Sequence, residues 1–120
     1  MSSRLASAWR CRDSWAPLNE EFDAGYMREL EQFLDSEHGS FYPPEDDIFK
    51  AFESTALANV KVVILGQAPY PDGNATGLAF SVRSKKDITP SLRNIYDAIE
   101  ADLGSTPARA GDLTPWTEDG

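Results

Sequence analysis

The sequence predicts an α/β protein, with helices packed on a parallel sheet. Three observations carry that prediction. Val60-Lys61-Val62-Val63-Ile64-Leu65 is β-branched, nearly all apolar and stops at Gly66, the pattern of a strand buried on both faces. Before it, Phe22, Tyr26, Met27, Leu30, Phe33 and Leu34 recur at helical spacing. After it, Leu92, Ile95, Tyr96, Ile99 and Leu103 do the same.

In chain order, Leu18 to Leu34 reads as the first helix, with acids between its apolar positions. A shorter helix is expected from about Pro44. Glu45, Asp46 and Asp47 fall in its first turn, where the positive end of the helix dipole favours them, and Ile48, Phe49 and Phe52 form its buried side. The Val60–Leu65 strand follows. Gln67 to Thr76 is a loop, marked by Pro69, Pro71, Gly73 and Asn74, and Leu78 to Val82 is a second strand candidate. The last helix has the clearest boundaries. Thr89 is its N-cap, Pro90 takes the first position, where a missing N–H costs nothing, and Gly104 is its stop. Ser105 to Gly120 is polar and turn-rich, with Trp116 as its large apolar side chain. Two strands are too few for a parallel sheet, and an uncovered edge invites aggregation. The chain is therefore expected to be cut short.

Composition removes several classes of function. The chain has 120 residues, enough for one small domain, and 11 basic against 20 acidic residues give a net charge of −9. That charge opposes a generic nucleic-acid coat protein, although Arg83, Lys85, Lys86 and Arg93 gather locally. The acids concentrate between Glu20 and Glu53, where only Arg28 and Lys50 oppose them, which reads as a solvated helix face. A single cysteine, Cys11, forms no internal disulfide, and with one histidine, His38, no Cys/His metal site is expected. No apolar run suits a membrane span, and the N-terminal stretch has no continuous apolar core of a secretory signal. A reduced, cytoplasmic setting is expected, with no cofactor and no metal. No G-x-x-x-x-G-K-[ST] or G-x-G-x-x-G motif points to nucleotide binding.

The block from Val60 to Val82 resembles the family-1 uracil-DNA glycosylases. Their signature is a buried strand running into G-Q-D-P-Y, then G-L-x-F-S-V about a dozen residues later. Here these read Gly66-Gln67-Ala68-Pro69-Tyr70 and Gly77-Leu78-Ala79-Phe80-Ser81-Val82. The similarity continues upstream through YPPEDDIFKAFESTALAN and downstream through TPSLRNIYDAIEADLG and GDLTPW, covering most of residues 41 to 120. It implies a three-layer α/β/α fold with a central parallel sheet. Residues 18–120 would be the N-terminal part of a single glycosylase-like domain, behind an extension over residues 1–17.

The resemblance also implies a chemistry. Such an enzyme flips the nucleotide out of the duplex and hydrolyses the glycosidic bond to uracil, the first step of base-excision repair. Carried over, Tyr70 takes the position of the ring that excludes a thymine methyl, and Phe80 that of the aromatic that stacks on the base. Gln67 and Ala68 supply backbone N–H groups. Ser91, after Pro90 at a helix N-terminus, matches the loop that grips DNA phosphates. Taken singly, Tyr70 also reads as a packed loop residue, Phe80 as core and Ser91 as ordinary capping chemistry.

The departures bear on activity. Ala68 stands where the family has its water-activating aspartate, and a methyl group accepts no proton and faces no cation. Asp72 is the nearest carboxylate. The resemblance stops at Gly120, before the family's uracil-reading asparagine and its His-Pro-Ser segment, and His38 matches neither. An impaired, truncated glycosylase, monomeric and directed at uracil-containing DNA, is the expectation. The alternatives are a non-enzymatic remnant that contacts DNA or a protein partner, and a gene remnant that does not fold stably.

Overall fold

The computed structural model describes residues 3–37, 39–105 and 108–120. Among these described residues five α-helices follow one another: α1 Arg4–Ala8, α2 Gly25–Ser36, α3 Lys50–Ser54, α4 Pro90–Leu103 and α5 Thr114–Thr117. Four 3₁₀ segments lie among them, the longest being Ala16–Asp23. None of the described helices is long and apolar enough to cross a membrane.

Among the described residues there is no β-strand, which overturns the expected three-layer α/β/α fold with a central parallel sheet. Val60–Leu65 is present as a surface segment, with Val62 70%, Val63 75%, Ile64 51% and Leu65 91% exposed. A strand exists only through backbone pairing with a neighbour. Here the Lys61 and Val62 N–H groups both donate to the Gly120 carbonyl, at 2.7 and 2.9 Å, and among the described residues no second segment pairs with it as a strand. The other strand candidate, Leu78–Val82, is a turn. Its Ser81 N–H donates to Leu78 O at 3.2 Å, and Phe80 adopts φ 64°, outside β geometry.

The first expected helix also divides. Residues 16–23 wind as 3₁₀, Ala24 is extended at ψ 150°, and α2 starts at Gly25. Only Met27 of α2 is buried, while Tyr26, Leu30 and Phe33 face solvent. The α4 boundaries match the sequence expectation. The Thr89 hydroxyl oxygen accepts the Leu92 N–H at 3.2 Å, and Gly104 closes the helix in the left-handed region at φ 77°.

Two side-chain clusters hold the chain together. Near the N-terminus, Trp9 packs on Phe22, Phe49 and Phe52 with ring centroids 5.2, 5.2 and 5.4 Å away. Its indole N–H donates to Asn19 Oδ1 at 2.8 Å, so the ring is buried with its polar atom satisfied. Cys11 is buried beside this cluster in sequence, and burial pushes its thiol up. The second cluster joins Leu92 and Tyr96 of α4 to Leu113, with Phe80, Ile88 and Trp116 against it. The Tyr96 hydroxyl donates to Ala110 O at 2.6 Å, tying α4 to the following loop. Thr55 Oγ1 donates to Thr117 O at 2.8 Å and links the end of α3 to α5.

Several residues of the acidic run have partners from outside it. Arg4 pairs with Asp35 and Glu45, Arg10 with Asp46, and Arg83 with Asp47. These pairs are largely exposed and contribute little each, so they organise the surface more than they stabilise it. The body is thin, 53 × 35 × 18 Å, with a radius of gyration of 16.1 Å. A compact chain of this length would have about 14 Å.

Candidate functional site

A cavity of about 480 Å³ opens between the Gly66–Tyr70 loop, the Ala75–Ser81 turn and the start of α4. Its formation follows from local backbone chemistry. Asp72 Oδ1 accepts the Asn74 N–H at 2.9 Å, an Asx turn that folds the loop back after Pro71. Arg83 then bridges that loop to the turn, donating to Gly73 O at 2.7 Å and Ala75 O at 3.2 Å while meeting Asp47 at 3.4 Å. At Gly77 the chain runs at φ 90° against the segment before α3, and a Cβ there would overlap the Asp47 carbonyl oxygen. Only glycine fits this close approach.

Phe80 follows at φ 64°, an uncommon conformation for an aromatic residue, at the wall of the cavity. The next residues hold it there. Ser81 and Val82 are buried, Ser81 Oγ accepts the Leu113 N–H at 2.9 Å, and the Val82 N–H donates to Gly111 O at 2.9 Å. Gly111 is tight as well, since a Cβ there would lie 2.5 Å from Ser84 O.

Every site residue expected from the sequence lines this one cavity: Gln67, Ala68, Tyr70, Phe80 and Ser91. Tyr70 is half-buried, and its hydroxyl shares a hydrogen bond with Thr89 Oγ1 at 3.0 Å. Gln67 and Ala68 are exposed, and their N–H groups meet no acceptor among the described residues. Ser91 sits in the first turn of α4, open to solvent. The lining carries no carboxylate. Asp72 is outside it and holds its own turn by accepting the Asn74 N–H. Of the local basic group, Arg83 is bound to loop carbonyls, while Lys85 and Lys86 stay exposed in a 3₁₀ turn capped by Ser84. His38 lies outside the described residues.

The structure adds residues that sequence reading passed over. Pro43, Ile48, Ala75 and Thr76 complete the walls, and Thr89 reaches Tyr70. Pro43 follows a cis Tyr42–Pro43 peptide, and the Tyr-Pro-Pro run was the available signal for a specialised turn. Thr76 Oγ1 accepts the Leu78 N–H at 3.3 Å and so shapes the turn that leads to Phe80. The site is concave, with the Phe80 and Tyr70 rings in its lining and Gln67 and Ala68 N–H groups that meet no acceptor among the described residues.

Comparison with known proteins finds relatives along nearly the whole chain. A uracil-DNA glycosylase from Deinococcus deserti is 45% identical over 124 aligned positions, covering 100% of this chain and 48% of the relative. One from Limosilactobacillus reuteri is 44% identical, covering 90% of this chain and 48% of the relative. One from Amoebophilus asiaticus is 47% identical, covering 89% and 50%. No family model matches the chain. The chain is thus similar to uracil-DNA glycosylases along nearly its whole length, and it spans about half the length of the curated relatives it matches.

Proposed function

We propose that the cavity between the Gly66–Tyr70 loop and α4 is a nucleobase site for uracil presented by DNA, and that this chain holds the base without cleaving its glycosidic bond. The observation that carries this reading is that Gln67, Ala68, Tyr70, Phe80 and Ser91 line one cavity. Phe80 offers a stacking face, Tyr70 a ring edge against a 5-methyl group, and the Gln67 and Ala68 N–H groups donors for a base carbonyl. Ser91 presents a hydroxyl at the positive end of a fourteen-residue helix, suited to a phosphate oxygen.

Hydrolysis asks for more. As the base leaves, water must be oriented toward the sugar carbon, lose a proton and face a developing cation. A carboxylate serves these needs, and the methyl of Ala68 serves none. General-base and electrostatic contributions are worth about 10²–10⁴-fold each. On this reading the protein acts as a cytoplasmic monomer without metal or cofactor. Residues 18–120 belong to one glycosylase-like domain, and the extension over residues 1–17 packs onto it through Trp9.

The test is uracil release from a single-stranded oligonucleotide carrying one deoxyuridine, followed beside its binding at two salt concentrations. Salt-sensitive binding without release is expected, with Ala68→Asp raising release by at least tenfold if the loop carries the carboxylate to the sugar. Release by the unmodified chain at the rate of Ala68→Asp overturns the assignment of inactivity to Ala68. A second reading, a non-enzymatic module with a protein partner, is favoured by the exposed apolar residues Val62 to Leu65. It predicts that no uracil-containing DNA binds.

A further inference from the structure

We propose that Thr89 is the positioning residue that fixes the Tyr70 ring, and thereby sets how strongly the site rejects a 5-methyl group; this rests on the nucleobase reading above. The loop that carries Tyr70 has few anchors of its own. Residues 61–69 are exposed, and Gln67 and Ala68 make no hydrogen bond among the described residues. The phenol instead reaches nineteen positions along the chain to Thr89 Oγ1, at 3.0 Å.

Thr89 is a firm attachment point because of what it already does. The same oxygen accepts the Leu92 N–H at 3.2 Å and caps α4, and the Leu92 side chain is fully buried in the second cluster. An oxygen has lone pairs for the Leu92 N–H and a proton or lone pair for the phenol, so the two bonds coexist. The Tyr70 ring is thus referenced to the best-packed helix rather than to its own exposed loop. Steric rejection of a methyl group requires this, since a ring edge free to move by an ångström yields to the substituent.

Removing the hydroxyl tests the tether, and a variant that tolerates loss of the cap bond guards against unfolding of α4. Thr89→Val keeps the shape and loses both bonds, Thr89→Ser keeps both, and Thr89→Gly retains a tolerated cap residue without the hydroxyl. With 3-fluorotyrosine incorporated throughout, the Tyr70 fluorine resonance is assigned by its loss in Tyr70→Phe. Tyr96, whose hydroxyl is held by Ala110, reports whether the fold persists. In Thr89→Val the Tyr70 resonance is expected to move to the unfolded-chain position and sharpen while Tyr96 stays in place, and Thr89→Ser is expected to restore it. If Thr89→Val loses the Tyr96 signal as well, Thr89→Gly supplies the same comparison. A Tyr70 resonance unchanged in the folded variant that lacks the hydroxyl overturns the tether.

The same samples are then titrated with uracil and thymine. The preference for uracil is expected to fall about tenfold in Thr89→Val and to return in Thr89→Ser, the scale of one lost hydrogen bond. An undiminished preference overturns the role in discrimination. Binding of neither base by the unmodified chain overturns the nucleobase reading and the discrimination with it, while the fluorine spectra still decide the tether.

Discussion

Leu65 and Leu92 are chemically identical side chains in opposite surroundings. Leu65 is 91% exposed and Leu92 fully buried. Complete burial of a leucine contributes about 1.5–3 kcal/mol, so the tenth of that surface which Leu65 covers is worth only about 0.2 kcal/mol. Leu65→Lys should therefore change stability by less than about 0.5 kcal/mol, as for other surface substitutions. Leu92→Ala opens a hole beneath Tyr96 and Leu113, and its cost should be about 2–5 kcal/mol. Urea unfolding followed by the fluorescence of Trp9, Trp15 and Trp116 measures both. At this chain length the melting temperature moves by about 4 °C per kcal/mol. The expected changes are then under about 2 °C for Leu65→Lys and about 8 °C or more for Leu92→Ala. A loss above about 2 kcal/mol in Leu65→Lys would mean that Val60–Leu65 is buried after all. An unaffected Leu92→Ala would mean that the α4 cluster is not the core.

Two further outcomes follow from the backbone and from charge. Gly77→Ala should lose about 2 kcal/mol or more in the same urea assay, because φ 90° strains any L side chain and the new Cβ meets the Asp47 carbonyl and lies 2.9 Å from Lys50 Cβ. A midpoint equal to the parent's refutes the close approach. The Glu31 carboxyl is held below its ordinary value by the Ser3 hydroxyl and the Leu5 N–H. Its stabilisation is then complete above the unfolded-state carboxylate value and is lost as pH falls through the lower folded value. Glu31→Gln should cost stability at neutral pH and converge with the parent in that acidic window, and parallel pH curves would contradict this.

What could be read from the sequence was what local chemistry decides. Thr89, Pro90 and Gly104 fix the ends of α4 by bonds within a few residues of themselves, so the helix was legible. Five cavity residues were legible through the Gly66–Tyr70 and Gly77–Val82 motifs and the Pro90-Ser91 helix start, and the structure brings Gln67, Ala68, Tyr70, Phe80 and Ser91 to one place. Val60–Leu65 misled because β-branched composition states a preference for a pleated, packed surface, whereas a strand needs a partner. Its Lys61 and Val62 N–H groups find only the Gly120 carbonyl. Phe80 was expected in a strand because nothing in its side chain signals a left-handed backbone, which is imposed by the buried Ser81 and Val82 beside it. The Tyr70–Thr89 bond links residues too far apart for any periodicity to reveal.

The thinness of the molecule bears on its thermal behaviour. With a shortest dimension of 18 Å, less than two helix diameters, no part of the chain lies far from water. Unfolding thus hydrates less new apolar surface than in a rounder protein of equal length, and the accompanying heat-capacity increment falls below the usual 12–15 cal/mol/K per residue or so. A small increment flattens the dependence of stability on temperature. The fold should respond weakly to cooling and melt over a broad interval, its resistance to heat set mainly by the contacts around α4.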